Sequence, residues 1–268
     1  MKTISSDMTL ELQPGLSEFT IDSDREVTLD FECQTKASVY IRIVRCLKLN
    51  IHTTTKNGGD AAYLFWNAAD RTQNYEEKHE VLKDSSLRIA YCECSLAESV
   101  RASDIKLLEP GASALISSAS LVNTNTAYTL NVVSYAPHTS GIMENYAVVL
   151  KGGHFYLDAT GNIHKGAHGS ESHQTSRALC FDEGQASTIK PKLLIDEHDV
   201  QASHATTVGR VNEEQLYYMQ SRGLTQKQCT GLISAGYLMP AAEVIEDEEL
   251  KKTLKNELEG KIAELCLM

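Results

Sequence analysis

Six of the nine histidines fall late in the chain, at His154, His164, His168, His173, His198 and His204. Residues an even number apart on a strand share a face, so His164 and His168 can project together, and with His173 they form a set able to bind a first-row metal. No spacing matches a closed zinc site of paired CxxC motifs, and histidines on strand surfaces need no ligand. Cys92 and Cys94 form a CxC pair whose thiols share one face of a strand. Two thiolates can hold a soft metal; two small buried apolar side chains are the simpler reading. Cys180, in the polar segment SRALCFDEGQAS, is the thiol expected nearest a functional surface. Asp196, Glu197 and Asp199 in IDEHDV offer acid/base groups or merely a solvated strand edge.

Conventional catalytic signatures are missing from the sequence. It has no GxSxG nucleophile elbow and no GxxxxGK[ST] phosphate loop, and its KGGHF fragment precedes a strand instead of a helix, the wrong setting for a dinucleotide fingerprint. Any energy-driven step needs another protein.

The elements that must position these residues are mostly strands. From about Glu18 to Thr207, short β-branched or aromatic runs (VTLDF, SVYIRIV, AAYLFW, LRIAYCEC, AYTLNVVSY) alternate with polar residues. In IRIVRCLKLNIH, Ile41, Ile43 and Val44 are expected on a buried face and Arg42 and Arg45 outside. Strand starts recur every 8 to 15 residues or so, which fits a β-sandwich or a parallel β-helix; no motif returns at a fixed period. Small or Gly-containing corners, as in HFYLDATGNIHKGAHG, lean toward stacked rungs. Past Gly209 the pattern turns helical. Asn212 is an N-cap with Glu213 and Glu214 in the first turn, and Gly223 is the stop. Thr225 and Gln228 make a capping box for a second helix toward Gly236, with Pro240 beyond it. A last helix from Glu248 sets Leu250, Leu254, Leu258, Ile262 and Leu265 on one face. This tail is too short and acidic to stand alone, so it must lean on the β part or on a partner.

Composition bounds the classes. The 268 residues allow one large domain or a domain with an appendage, at roughly 100 to 200 residues each. With 25 Lys and Arg against 36 Asp and Glu, the net charge of −11 gives no basic footprint for nucleic acid. No apolar stretch follows Lys2 as in a secretory signal, and no run approaches the roughly 18 apolar residues of a membrane span. Seven cysteines, an odd count, favour reduced thiols and a cytoplasmic location over a disulfide framework. A carbohydrate-binding module ranks last, since Trp66 is the sole tryptophan.

The stretch from Gly166 to Gly236, above all PKLLIDEHDVQASHATTVG, EEQLYYMQSRGLT and LISAGYL, resembles the carboxy-terminal part of the SufB/SufD family of the Suf iron–sulfur cluster assembly machinery. The resemblance is close over roughly the last 100 residues and one of character before them. It implies a mainly β fold, a right-handed parallel β-helix core (residues 1–207) with a small C-terminal α-helical domain (208–268), and no catalytic activity. It implies pairing with a SufB-like subunit, or a homodimer, through the β-helix. A SufC-type ATPase is expected on the helical part, where Glu214, Tyr217, Tyr218, Arg222 and Gly223 are the candidate contacts. No tightly bound cofactor is implied, only a transient iron–sulfur cluster at a subunit interface. SufB-like chains carry a cysteine on a late strand, and here that position falls near Ser176 or Arg177. SufD-like chains carry a histidine in the motif that reads SHATTVG here, which is His204. The chain therefore looks SufD-like, with His204 as the cluster-assembly residue and transient iron ligand and Cys180 as a possible thiol. Family members carry a helical region before the β core, and strands here begin within the first 30 residues, so a short form is expected. The competing expectation is a metal-dependent enzyme on a β-helix or β-sandwich using His164, His168 and His173.

Overall fold

The β-branched and aromatic runs form two parallel sheets that alternate along the chain. The structure is a computed structural model and describes residues 1–95, 97–181 and 186–265, with the side chains of residues 186, 242 and 263–265 outside the described set. One sheet holds β1 (Lys2–Ile4), β3 (Gly15–Asp22), β5 (Lys36–Arg45), β7 (Asp60–Asn67), β9 (Ser86–Glu93), β11 (Ser113–Val122), β13 (Ser140–Val149), β15 (Ser170–Cys180) and β17 (Val200–Arg210). The other holds β2 (Met8–Glu11), β4 (Val27–Cys33), β6 (Leu49–Thr55), β8 (Gln73–Val81), β10 (Ser99–Leu107), β12 (Asn125–Ser134), β14 (His154–Ile163) and β16 (Ala186–Ile195). Each strand hydrogen-bonds to the strand two before and two after it. That is a parallel β-helix with two strands per coil, the class the resemblance implies, and the sandwich reading falls away.

The coils lengthen along the axis. Lys2 lies beside Phe19, a spacing of 17, while Asp60 pairs Ser86, Ser113 pairs Ser140 and His154 pairs Ala186, a spacing of 32. The fixed period sought in the sequence does not exist, because every coil has its own length.

Alternation along each strand sends one set of side chains into the coil. Phe19, Phe31, Tyr63, Phe65, Tyr91, Tyr128 and Phe155 form a continuous aromatic chain along the axis, each ring centre 5.7–6.4 Å from the next. Ile41 and Ile43 join this core, but Val44 is 39% exposed. Strict alternation after Ile43 turns Val44 outward, correcting the expectation that it is buried.

The outer face of the odd-numbered sheet is also apolar. Tyr40, Leu64, Trp66, Ala90, Cys92, Cys94, Ala119, Leu121 and Val148 are buried there beneath the C-terminal helices. Helix α1 is Glu213–Ser221, capped by Asn212, whose side chain accepts from the Glu214 and Gln215 amides. Helix α2 is Gln226–Leu238, with the Thr225–Gln228 capping box formed; it runs past Gly236, and Pro240 falls in the 3-10 segment Met239–Val244. Helix α3 is Glu248–Leu265. Leu238, Ala241, Val244, Ile245, Leu254, Leu258 and Ile262 meet the sheet's apolar face, and Leu250 packs at its margin; the side chain of Leu265 lies outside the described residues. At about 1.5–3 kcal/mol per fully buried large apolar side chain, these contacts outweigh any single ion pair at the rim. The tail leans on the β part.

Candidate functional site

β16 and β17 end their sheets, each with a single hydrogen-bonded neighbour. After β17 the chain turns at Asn212 into α1, and the helices pack against the side of the coil, not over its end. In a parallel strand, alternate residues direct both N–H and C=O to opposite sides. The Val211 amide donates to the Cys180 carbonyl and the Gly169 amide to the Asp199 carbonyl, so odd-numbered residues of β17 face β15. Val200, Ala202, His204, Thr206, Val208 and Arg210 therefore direct their backbone groups to the open edge. On β16 the Asp196 amide donates to the Ile163 carbonyl, so Pro191 is oriented to the open edge, where its missing N–H costs the coil nothing. The outward apolar residues Leu194, Ile195 and Val208 are exposed at this end.

His204 lies in the middle of β17, exposed, in register with Gln174 of β15. Gln174 belongs to the inward-facing set with Ser170, Ser172 and Ser176, all buried. The lumen under His204 is therefore polar. The Gln174 side-chain amide donates to the Lys192 carbonyl at 2.9 Å, and Asn145 donates to Ser176 at 3.4 Å while accepting from Ser118 at 2.8 Å. The Ser172 hydroxyl and the Gln174 side-chain oxygen are buried without a partner. A Cβ on Gly161 would collide with the Ser172 hydroxyl, so glycine there keeps this space open. Buried polar atoms left unpaired immediately beneath an open coil are suited to completion from outside.

Cys180 is not on a surface. It ends β15 only 7% exposed, packs in the apolar core, and its Sγ lies 3.5 Å from the Ser187 Oγ. Six residues separate it from Gln174, which is about 20 Å along a strand, so Cys180 and His204 do not share a site. Of the positions matching the SufB-type cysteine, Ser176 is buried in the lumen and Arg177 is exposed outside.

The helical candidates form a second face. No residue of α1 is buried; Tyr217 is 75% exposed, Tyr218 59%, and Leu232 on α2 58%. Asn212, Glu214, Gln215, Tyr218, Met219 and Ile233 line a groove between α1 and α2. Arg222 donates to the Tyr218 hydroxyl at 3.1 Å with its guanidinium 5.3 Å from the ring centre, and Gly223 turns the chain at φ 93°.

The other sequence candidates separate. His164 stacks on Tyr135 with ring centres 4.6 Å apart, His168 meets His138 edge-on at 5.2 Å, and the His173 Nδ1 lies 2.8 Å from the Ser203 Oγ. Among the described residues no group of three His, Cys, Asp or Glu side chains is placed to hold a metal ion. Cys92 and Cys94 share a face as expected, but beneath the helices: burial pushes the Cys92 thiol up to about 12 and Cys94 upward too, so neither is a thiolate at neutral pH. Glu197 is spent on the corner, where its carboxylate accepts from the Gly166 amide at 2.9 Å and its own neighbour's at 2.8 Å. No described helix is long and apolar enough to cross a membrane.

Residues 49–237 match the family model for the SUF system FeS cluster assembly SufBD core domain. The iron–sulfur cluster assembly protein SufD of Bacillus subtilis (strain 168) is 33% identical over 135 residues, 50% of this chain and 31% of that protein. An iron–sulfur cluster assembly SufBD family protein of Mycobacterium tuberculosis (strain H37Rv) is 34% identical over 130 residues, 47% of this chain and 15% of that one. The Bacillus subtilis SufB protein is 27% identical over 134 residues, 49% of this chain and 29% of its own length. The chain aligns with less than a third of each of these relatives.

Proposed function

The chain belongs to the SufBD core family of iron–sulfur cluster assembly, and on that premise we propose that it is a non-enzymatic scaffold subunit. In this reading the open coil pairs with a SufB-like subunit or a second copy, and the helices bind a SufC-type ATPase. The carrying observation is the edge: an 11-residue terminal strand without proline, exposed along its length and abandoned by the chain's own helices. Edge strands of this length recruit a further strand unless they are protected. The polar lumen beneath His204 and its unpaired Ser172 and Gln174 atoms support the same reading, because a partner seated there brings groups to them.

The nascent cluster is cargo. His204 stands on a rigid strand at the edge, and a neutral imidazole can ligate iron while a partner's thiolate completes the set across the interface. The site then exists only in the assembled pair, with no cofactor held tightly by this chain alone. ATP-driven work falls to the partner, since this sequence has no phosphate loop. For that contact Tyr217, Tyr218 and the groove containing Glu214 supply exposed aromatic area, with Arg222 and Gly223 fixing the end of α1.

Deleting the helices would strip the cover from Trp66, Cys92 and Leu121, so point variants are the cleaner test. A Tyr217→Ala/Tyr218→Ala double variant should lose co-purification with a SufC-type ATPase while keeping its melting temperature. Full retention of the ATPase removes the helical face from the proposal. His204→Ala should lower the iron and sulfide content of the complex purified anaerobically, without dissociating it; unchanged content removes the role of His204.

A further inference from the structure

The corner between the two sheets holds a pair of imidazoles that neither the edge nor the helical face uses. His138, between β12 and β13, and His168, between β14 and β15, lie in adjacent coils, and the His138 amide donates to the His168 carbonyl at 2.9 Å. Both rings are exposed. We propose that His138 and His168 form a two-imidazole binding site for a divalent late first-row ion of the nickel, copper or zinc type.

Distance comes first. Two imidazoles on one tetrahedral ion, each nitrogen about 2.0–2.1 Å from the metal, have ring centres about 5 Å apart. The two rings here are 5.2 Å apart. Their edge-to-face angle of 87° changes by rotation about the last side-chain bond, a soft torsion for exposed histidine.

Availability comes second. His52 is held by Asp30, His79 by Thr53 and Glu77, and His173 by Ser203 and Glu171. Among the described residues neither His138 nor His168 has a side-chain hydrogen bond, so their ring nitrogens are open to an outside ligand. Imidazole nitrogen is the donor that nickel, copper and zinc prefer.

The backbone then fixes the pair. His138 adopts φ 56°, the left-handed region, and its ring lies where a Cβ on Gly169 would stand, so Gly169 must be glycine for the ring to reach His168. The same column carries Asp84 over Gly111 one device earlier, so the corner geometry is general. Here it presents paired imidazoles. The Gly169 amide donates to the Asp199 carbonyl, which puts Asp199 one coil on from His168 and adds negative charge to the corner. Water fills the remaining coordination positions at this exposed site.

The test is metal titration of the purified full chain with zinc and with nickel, followed by electron paramagnetic resonance of the copper(II) form. One tightest site is expected, with two nitrogen couplings to copper. His168→Ala should weaken zinc binding about a hundredfold, because chelation by two tethered donors is lost. His138→Asn, chosen because asparagine tolerates the left-handed backbone, should do the same. His154→Ala and His164→Ala should bind as the unaltered chain does. The proposal is overturned if His168→Ala binds zinc as tightly as the unaltered chain, or if His204→Ala is the variant that abolishes the tightest site. His168 stands in ordinary backbone and exposed, so its variant decides the matter even should His138→Asn fail to fold.

Discussion

Arg42 on the outer face of β5 grips Glu257 of α3, one guanidinium nitrogen lying 2.7 Å from both carboxylate oxygens across 215 residues of sequence. Both side chains are about a third exposed or less, at 27% and 33%. The pair pins the last helix to the sheet at the rim of an apolar interface. Arg42→Ala should weaken this docking by about 1 kcal/mol, since a half-exposed ion pair contributes little more. Hydrogen exchange should show faster exchange in α3 with unchanged protection in β5 to β15; equal loss of protection in the coil would contradict it.

The two faces of β17 give a paired test. Thr206 directs its amide to the open edge and Thr207 to β15, so proline at each removes a different hydrogen bond. Thr206→Pro should leave the melting temperature within a few degrees of the unaltered chain and abolish association through the edge. Thr207→Pro should destabilise the last coil itself by about 3 kcal/mol. Size-exclusion chromatography with light scattering, alongside thermal unfolding, separates the two; equal behaviour of both variants would falsify the edge assignment.

Inside the coil, the Arg101 guanidinium lies 3.9 Å from the Tyr75 ring centre and 4.0 Å from that of Tyr91, and pairs with the Glu77 carboxylate. Glu77 also accepts from the Tyr91 hydroxyl and lies 3.3 Å from the His79 Nε2. All are buried. Arg101→Ala leaves a carboxylate buried without its counter-charge and should cost about 3–5 kcal/mol in urea unfolding. An Arg101→Met/Glu77→Gln double variant should recover part of that loss. A double variant no more stable than Arg101→Ala would show that the ion pair is not what the single variant loses.

Two buried acids pull the acid limb of stability in opposite directions. Burial works to raise Glu77, but Arg101, His79 and Tyr91 prevail and hold its carboxyl below the usual range. Its folded-state value lies under the unfolded one, so its contribution is complete above the ordinary carboxylate range and is lost as pH falls through the folded value. Glu93 is raised, chiefly by burial, despite accepting from Asn67 at 2.6 Å and Ser99 at 2.7 Å. Its sign is reversed: charging it costs stability as pH rises from the unfolded to the folded value. Glu93→Gln should therefore flatten the fall in stability on the alkaline side of the carboxylate range, while Glu77→Gln should flatten the loss on the acid side. Urea midpoints at a series of pH values check both.

Much of the fold is legible in the residues because its signals are local. Asn212, the Thr225–Gln228 box and the Leu250–Leu254–Leu258–Ile262 stripe act within one helix, and each forms as read. The seat of the tail was also written in the chain: AAYLFW and LRIAYCEC are continuous apolar runs, and a strand buried on both faces has no polar side to alternate with. Cys180 misleads because its strand has a polar interior. Ser172, Gln174 and Ser176 point inward, so β15 reads as a solvated segment when its last residue is core. His138 was passed over for a different reason, since its neighbour His168 is a whole coil away in sequence and only stacking brings them together. The open-edge orientation of β17 likewise depends on which neighbour each amide meets, a relation no single strand contains.

The widening of the coils from 17 to 32 residues has a consequence for how the chain finds its structure. Arrays of identical repeats can slip by one unit and still satisfy most of their contacts, a recurrent route to misassembly. Here a strand displaced onto the wrong rung would leave a corner several residues too long or too short, with its aromatic side chain out of line with the chain of rings. Each rung fits one address only. Unequal lengths thus serve as an error-rejecting code in a fold whose hydrogen-bond pattern, taken alone, would accept any rung beside any other.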